Sequence, residues 1–267
     1  MQTERKKRIR NVCKNTSTNA SRSDEAFAFS HIIVNDNYKL LFCFVPKVAS
    51  TNWKKVLLVL QERSKKRASQ INSFFVNDPN NSPFTTLSEY EPTERKYRLD
   101  NYFKFMFTRD PMERVVSAYR NKFEKAWSDF FQINHGKAIV RKYRKKPSAE
   151  ALAKGNDVTF SEFAQFLADE DRRGLEFNEH WERYHKLCSP CSIEYSYIGM
   201  YETLEADTAY IMNTRNISKL VSLPRQGRMQ GGTRQLVDSY MRQLSPDLLK
   251  RLKDIYSLDY DLFGYSK

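Results

Sequence analysis

Three short apolar runs punctuate an otherwise polar chain, and each is followed by a helical pattern. Lys39-Leu40-Leu41-Phe42-Cys43-Phe44-Val45 has the length and the aromatic and β-branched content of a strand covered on both faces, and Pro46 ends it. Ser50 or Thr51 then stands where an N-cap belongs, followed by Trp53, Val56, Leu57 and Leu60 at i, i+3, i+4, i+7 spacing. The second run, Tyr102 to Thr108, passes through Arg109 into Asp110-Pro111-Met112-Glu113, which reads as N-cap, N1 proline and capping-box acid. Met112, Val115, Val116, Tyr119 and Phe123 continue it as a helical stripe. The third run, Tyr195 to Tyr201, precedes a helix expected over about 203–213. Thr159 with Glu162 opens a helix faced by Phe163, Phe166 and Leu167. Ser245-Pro246 opens the last expected helix, with Leu249, Leu252, Ile255 and Tyr256 on its apolar side. Strands alternating with helices predict an α/β domain, a central and mostly parallel sheet flanked by helices in three layers.

The intervening segments are polar. Residues 62–100 carry a basic cluster (Arg63, Lys65, Lys66, Arg67) and a turn-rich stretch at 77–83, and Arg225 to Arg234 reads as a loop rich in Arg, Gln and Gly. Residues 1–26 have little to bury and read as a disordered or truncated basic lead-in, leaving 27–267 as one domain. A length of 267 residues, 40% hydrophobic and 13% aromatic, suits a single sizeable core. No apolar stretch is long enough to span a membrane, and no apolar segment follows the basic amino end to make a signal peptide.

Charge adds a partner class. The net charge is +13, and residues 1–10 hold five basic residues (Arg5, Lys6, Lys7, Arg8, Arg10) against one acid, Glu4. The rest of the excess lies on the folded part, where Lys137 to Lys146 holds six basic residues and no acid. A polyanion is implied: nucleic acid, an anionic glycan or a phosphorylated cofactor. Tyr143 interleaves with basic residues as in RNA-binding surfaces, yet neither an RNP signature nor paired Cys/His fingers occurs. A charge run also reads simply as a solvated face. Only eight glycines are present, and neither GxGxxG nor GxxxxGK[ST] is found.

The chemistry concentrates at two strand-to-helix turns. In Pro46-Lys47-Val48-Ala49-Ser50-Thr51-Asn52-Trp53 a helix N-terminus offers backbone N–H groups and the positive end of its dipole to an anion. Lys47 adds a mobile cation, and Ser50 and Thr51 add hydroxyl donors. The plainer alternative is a capped helix with a solvated lysine. At the second turn Arg109 leaves its strand at the carboxyl end, where open α/β sheets bind ligands. Ser117 follows two turns into the next helix, near Arg114 and Asn121. A guanidinium and a hydroxyl converging there would grip one phosphate, or Arg109 would merely pair with Glu113 on the surface.

The two segments in this order resemble the 5′-phosphosulfate and 3′-phosphate motifs of the Golgi carbohydrate sulfotransferases. The likeness is to sulfotransferase family 2 and its branch with the chondroitin 4-O-sulfotransferases and the HNK-1 sulfotransferase. Phe177-Asn178-Glu179-His180-Trp181, Leu187-Cys188-Ser189-Pro190-Cys191 and Gly199-Met200-Tyr201-Glu202-Thr203-Leu204 extend it, so that it runs from about His31 to Tyr265. The resemblance implies a P-loop-like sulfotransferase fold and 3′-phosphoadenosine-5′-phosphosulfate (PAPS) as co-substrate. Pro46 to Trp53, with Lys47, Ser50 and Thr51 foremost, would hold the 5′-phosphosulfate. Arg109, Asp110 and Ser117 would hold the 3′-phosphate. Many family members carry Cys where this chain has Ser50. Lys47 would neutralise charge on the bridging oxygen, and His180, within the family-like segment, is the candidate general base ahead of His31, His135 and His185. The alternative for His180 is a structural histidine packed by Trp181. No metal is expected, because His180 and His185 have no ligand partner at a convincing spacing.

The implied acceptor is an anionic glycosaminoglycan or glycoprotein glycan, foremost O-4 of N-acetylgalactosamine in chondroitin or dermatan. The rivals are glucuronate O-3 and, in a different class, a non-catalytic protein that binds a glycan or RNA polyanion. Nucleic acid is not the expected partner. Cys43, in mid-strand, reads as a buried free thiol, whereas Cys188 and Cys191 are open to a local disulfide, a redox CxxC or half of a zinc site. The resemblance implies the oxidising Golgi lumen and a disulfide involving that pair. Sequons at Asn15, Asn19, Asn80 and Asn216 are compatible with it. The family's type II membrane anchor is not seen in this sequence, so either its true amino end is missing or the enzyme is delivered in another way.

Overall fold

The computed structural model describes residues 2–16, 22–78, 80–126, 128–224 and 233–267. In chain order the elements are α1 (Gln2–Asn15), α2 (Arg22–Ser30), β1 (Ile32–Asn35), β2 (Leu40–Cys43), α3 (Ser50–Leu60) and α4 (Pro92–Asn101). There follow β3 (Phe103–Thr108), α5 (Pro111–Tyr119), α6 (Lys137–Tyr143), α7 (Ala149–Lys154), α8 (Phe160–Arg172) and α9 (Tyr184–Cys188). The chain closes with β4 (Tyr197–Met200), α10 (Leu204–Thr214), α11 (Thr233–Met241), α12 (Pro246–Ile255) and α13 (Ser257–Phe263). They belong to two compact units: residues 1–109, 183–227 and 261–264 form the first, and residues 110–182, 228–260 and 265–267 the second.

The first unit holds the sheet, ordered β1-β2-β3-β4. The three expected strands pair in parallel, Cys43 opposite Met106 and Thr108 opposite Met200. β1 adds an antiparallel edge that the sequence pattern does not predict, making the sheet mixed. The apolar runs lack polar alternation because both faces are covered. On one face Trp53 of α3 packs against Phe42, Phe105 and Phe107, with ring centroids 4.7–5.9 Å apart. On the other, Cys43 is joined by a disulfide to Cys188 of α9. Gly199 lets β4 close on β3, since a Cβ there would lie 2.3 Å from the Phe107 ring.

The amino-terminal segment differs from the expected disordered lead-in. Residues 2–15 are helical, and α1 lies along β4, the outer strand. The Gln2 side-chain amide donates to the Ile198 carbonyl and accepts from its N–H, so it imitates a neighbouring strand on that edge. Arg5 pairs with buried Asp207 at 3.1 Å, and Cys13 is bonded to Cys191. A segment with few apolar residues is thus held by ion pairs of Arg5 with Asp207 and Arg10 with Glu194, by an edge contact and by a covalent link, all to residues nearly two hundred positions away.

The second unit is helical. Val115, Val116, Tyr119, Phe123, Phe163, Leu167, Trp181 and Tyr256 are among the residues of its core, with α12 packed on α8 and α11 on α5. Its helix starts follow the expected signals. Asp110 accepts from the Glu113 amide at 3.0 Å ahead of Pro111. Thr159 and Glu162 close a reciprocal capping box, and Ser245 accepts from the Leu248 amide. α12 is not the last helix, as α13 follows it. Of the expected loop at 225–234, residues 225–232 lie outside the described residues, as does the sequon Asn19.

Candidate functional site

In the first unit the carboxyl ends of β2, β3 and β4 lie side by side, and the two turns singled out in the sequence leave from the first two of them. The β2 turn is strained: Lys47 has φ 75° and Ala49 φ 67°, left-handed values that cost a non-glycine residue roughly 1–2 kcal/mol each. Such a turn gathers successive N–H groups into a concavity suited to an anion, a shape that P-loops build with glycine. The expected N-cap is corrected here. The cap is Ala49, which has no side chain able to accept, and Ser50 and Thr51 are the first helical residues. The first intrahelical bonds come from the Asn52 and Trp53 amides, both to the Ala49 carbonyl. The amides of Ser50 and Thr51 therefore precede the ladder at a terminus with no side-chain cap, which is where an oxyanion would complete the helix.

The neighbours of this turn divide into support and surface. Pro46, Val48 and Trp53 are buried, Trp53 in the sheet core, and Asn52 Nδ2 donates to the Pro224 carbonyl at 3.0 Å. The Thr51 hydroxyl oxygen accepts from Asn77 Nδ2 at 3.1 Å, which leaves its own hydrogen to donate. Lys54 sits over the Phe44 ring and reaches Asn77 Oδ1 at 3.3 Å. Lys47 is half-buried.

Arg109 is 4% exposed, not a surface residue. Its N–H donates to Tyr184 Oη at 2.9 Å, and the same hydroxyl donates back to the Arg109 carbonyl at 3.0 Å. Its guanidinium lies 4.3 Å from the centroid of the Tyr201 ring, just beyond β4. Stacking on one face leaves the planar edge of a guanidinium able to present paired donors to a phosphate. Sequence reasoning missed Tyr184 and used Tyr201 only as part of a motif. Neither role is visible without the placement of α9 and of the residue after β4 beside the end of β3.

The second unit carries Asp110, Ser117 and His180. Asp110 is engaged as a helix cap, and Ser117 is half-buried on α5. His180 lies in a turn held from several sides. Arg114, 1% exposed, donates to the carbonyls of Glu182 and Glu179, Tyr256 Oη donates to the Trp181 carbonyl, and Glu182 accepts from the Phe177 amide. Asn178 Oδ1 accepts the His180 backbone N–H at 3.1 Å, which fixes the amide's orientation, and lies 2.8 Å from His180 Nδ1. An Nδ1–H donated to that oxygen would leave Nε2 as the nitrogen able to accept a proton. Arg114 ties down the turn that carries His180, a contact that the sequence pattern alone does not show.

The cysteine expectations change most. Cys43 is not a free thiol, and Cys188 and Cys191 form neither a local bridge nor half a zinc site, since each pairs with a distant partner. Among the described residues no group of three or more His, Cys, Asp or Glu is arranged to hold a metal, and no helix is long and apolar enough to cross a membrane. The basic run at 137–146 is partly spoken for: Arg144 pairs with Asp157 and Glu162, and Lys142 with Asp169.

An α/β sheet with an uncapped helix terminus and a stacked arginine on one carboxyl edge offers two groups of the kind that suit anions. Comparison with known proteins places the protein further: residues 30–266 match the model of the Sulfotransferase family, and the chain belongs to that family. It is 38% identical to carbohydrate sulfotransferase 11 of Rattus norvegicus over 238 residues, 88% of this chain and 67% of the relative. It is 42% identical to carbohydrate sulfotransferase 14 of Danio rerio over 236 residues, 88% of this chain and 62% of the relative. With carbohydrate sulfotransferase 10 of Rattus norvegicus it shares 36% identity over 274 residues, 99% of this chain and 75% of the relative. No solved structure matches. Family membership implies sulfuryl transfer, with PAPS as donor and a glycan as acceptor.

Proposed function

We propose that this protein moves the sulfuryl group of PAPS to O-4 of N-acetylgalactosamine in chondroitin or dermatan. The observation that carries the donor assignment is the β2 turn, left-handed at Lys47 and Ala49 and uncapped at Ser50, on the same sheet edge as Arg109. The Ser50 and Thr51 amides and hydroxyls bind the 5′-phosphosulfate, and Arg109 with Ser117 binds the 3′-phosphate. Lys47 offsets the negative charge that grows on the bridging oxygen as its bond to sulfur breaks. His180 Nε2 takes the proton of the acceptor hydroxyl while that oxygen bonds to sulfur, and the Nδ1–H held by Asn178 keeps the ring in the tautomer this needs. The acceptor position rests on the motif resemblance. Two disulfides, with no free cysteine among the described residues, support an oxidising compartment such as the Golgi lumen.

The test is to incubate the purified protein with labelled PAPS and a panel of desulfated glycans, then map the sulfated position by disaccharide analysis. Label on O-4 of the hexosamine is expected. Label on O-3 of a terminal glucuronate would move the acceptor assignment, and transfer to no glycan would overturn it. Lys47→Ala should lower kcat by about 10²–10³. His180→Ala should lower it by about 10²–10⁴ with affinity for the desulfated donor product kept. Wild-type turnover by either variant would remove that residue from the mechanism.

A further inference from the structure

The second unit contains a cation that this mechanism does not use. Residues 120–124 are wound as a π-helix, closed by the Lys125 amide on the Arg120 carbonyl at 2.7 Å, a winding that recurs at functional sites. Lys122 within it is half-buried, and its Nζ lies 4.4 Å from the centroid of the Phe131 ring. The His180 imidazole meets the same ring edge-on at 5.3 Å. Among the described residues Lys122 has no ion-pair or hydrogen-bond partner. Glu179 acts on it only through its field, and burial holds the ammonium below its ordinary pKa. A positive charge held against an aromatic ring, with no acid bonded to it among the described residues, beside the group that would meet the acceptor hydroxyl is suited to receive an anion on that acceptor.

We propose that Lys122 binds the carboxylate of the uronic acid next to the reacting sugar and so selects uronate-bearing acceptors. The inference rests on the sulfuryl-transfer reading with His180 as base. An aromatic floor beneath an ammonium suits such a receptor, because the ring partly replaces lost water without neutralising the charge. A carboxylate therefore still gains by arriving.

The test compares native chondroitin with carboxyl-reduced chondroitin as acceptors for the wild type, Lys122→Gln and Lys122→Arg, with binding of the desulfated donor product measured alongside. The wild type should show a KM about 10- to 100-fold lower for the native polymer, the range of one charge-assisted hydrogen bond. Lys122→Gln should bring the KM ratio towards one at a similar kcat on the native polymer, and Lys122→Arg should restore much of it. Equal losses by Lys122→Gln on both polymers, or no carboxyl preference in the wild type, would overturn the proposal. Loss of donor-product binding in Lys122→Gln would make the residue structural and overturn it as well. If the wild type binds donor product but transfers to neither polymer, the acceptor reading and this inference fall together. If it does not bind donor product, the donor reading falls first.

Discussion

Two tyrosines far along the chain set the pose of Arg109. Tyr201 lies under the guanidinium, and the fully buried Tyr184 both accepts from the Arg109 N–H and donates to its carbonyl. One hydroxyl thus satisfies both backbone groups of the residue that ends β3. Tyr184→Phe removes it without changing the ring, which packs against Phe263 at 5.4 Å. Two buried backbone groups would lose a partner, at about 1–3 kcal/mol for each group left unsatisfied. The expected outcome is a Tm lower by several degrees, since about 1 kcal/mol shifts a chain of 150–250 residues by roughly 2–4 °C. Affinity for a 3′-phosphorylated nucleotide should weaken in parallel. Calorimetry of both quantities decides it: a variant with unchanged Tm and affinity would mean that Tyr184 merely fills space.

The two disulfides differ in where they sit. Cys43 and Cys188 are fully buried between β2 and α9, whereas Cys13 and Cys191 are half-exposed where α1 is tied down. Thiol–disulfide exchange needs access of the attacking thiolate. Graded reduction of the native protein, followed by alkylation and peptide mass mapping, should therefore label Cys13 and Cys191 before Cys43 and Cys188. Simultaneous labelling would show that the inner bond is no better protected. Elements of this kind mark how far the sequence could be read. β2, β3, β4 and the helices behind them were legible because each is a local pattern with its own stop and start signals, as at Pro46 and Asp110-Pro111. β1 (Ile32–Asn35) escaped because it runs through a short turn into its antiparallel neighbour β2 and has no helix after it to complete the strand-then-helix signature. α1 escaped because its order comes from Cys191, Asp207 and Ile198, none of which its own composition announces. In the candidate site, Lys47, Ser50 and Arg109 could be singled out by type and position. The left-handed turn on non-glycine residues, the tyrosine pair and Arg114 depend on contacts across the fold.

A chain of net charge +13 keeps its acids where they matter. Burial by itself raises Asp207, but the Met200 amide, Thr203, Tyr197 and Arg5 outweigh it and hold the carboxyl below its ordinary value. Asp36, held by Arg98, Tyr102 and Tyr90, and Glu162, held by Arg144 and Thr159, are lowered against the same cost of burial. A carboxyl whose pKa is lower in the folded chain than in the unfolded one stabilises the fold above the unfolded value, near 4. That stability is lost as the pH falls from about 4 through the folded value, because the unfolded chain takes up the proton first. Each proton bound also adds to a positive charge that already repels itself. Asp207→Asn isolates one such contribution, since it removes the titrating group and leaves a similar shape. The variant should have the lower Tm near neutral pH, where the wild-type carboxylate accepts from Met200, Thr203, Tyr197 and Arg5. The gap between the two proteins should hold steady above about pH 5 and shrink below about pH 4. Taking the difference cancels groups common to both, such as His135, whose burial lowers its pKa. Differential scanning calorimetry from about pH 3 to 8 at constant ionic strength makes the measurement, and a gap that stays constant down to about pH 3 would show that Asp207 works by packing rather than by charge.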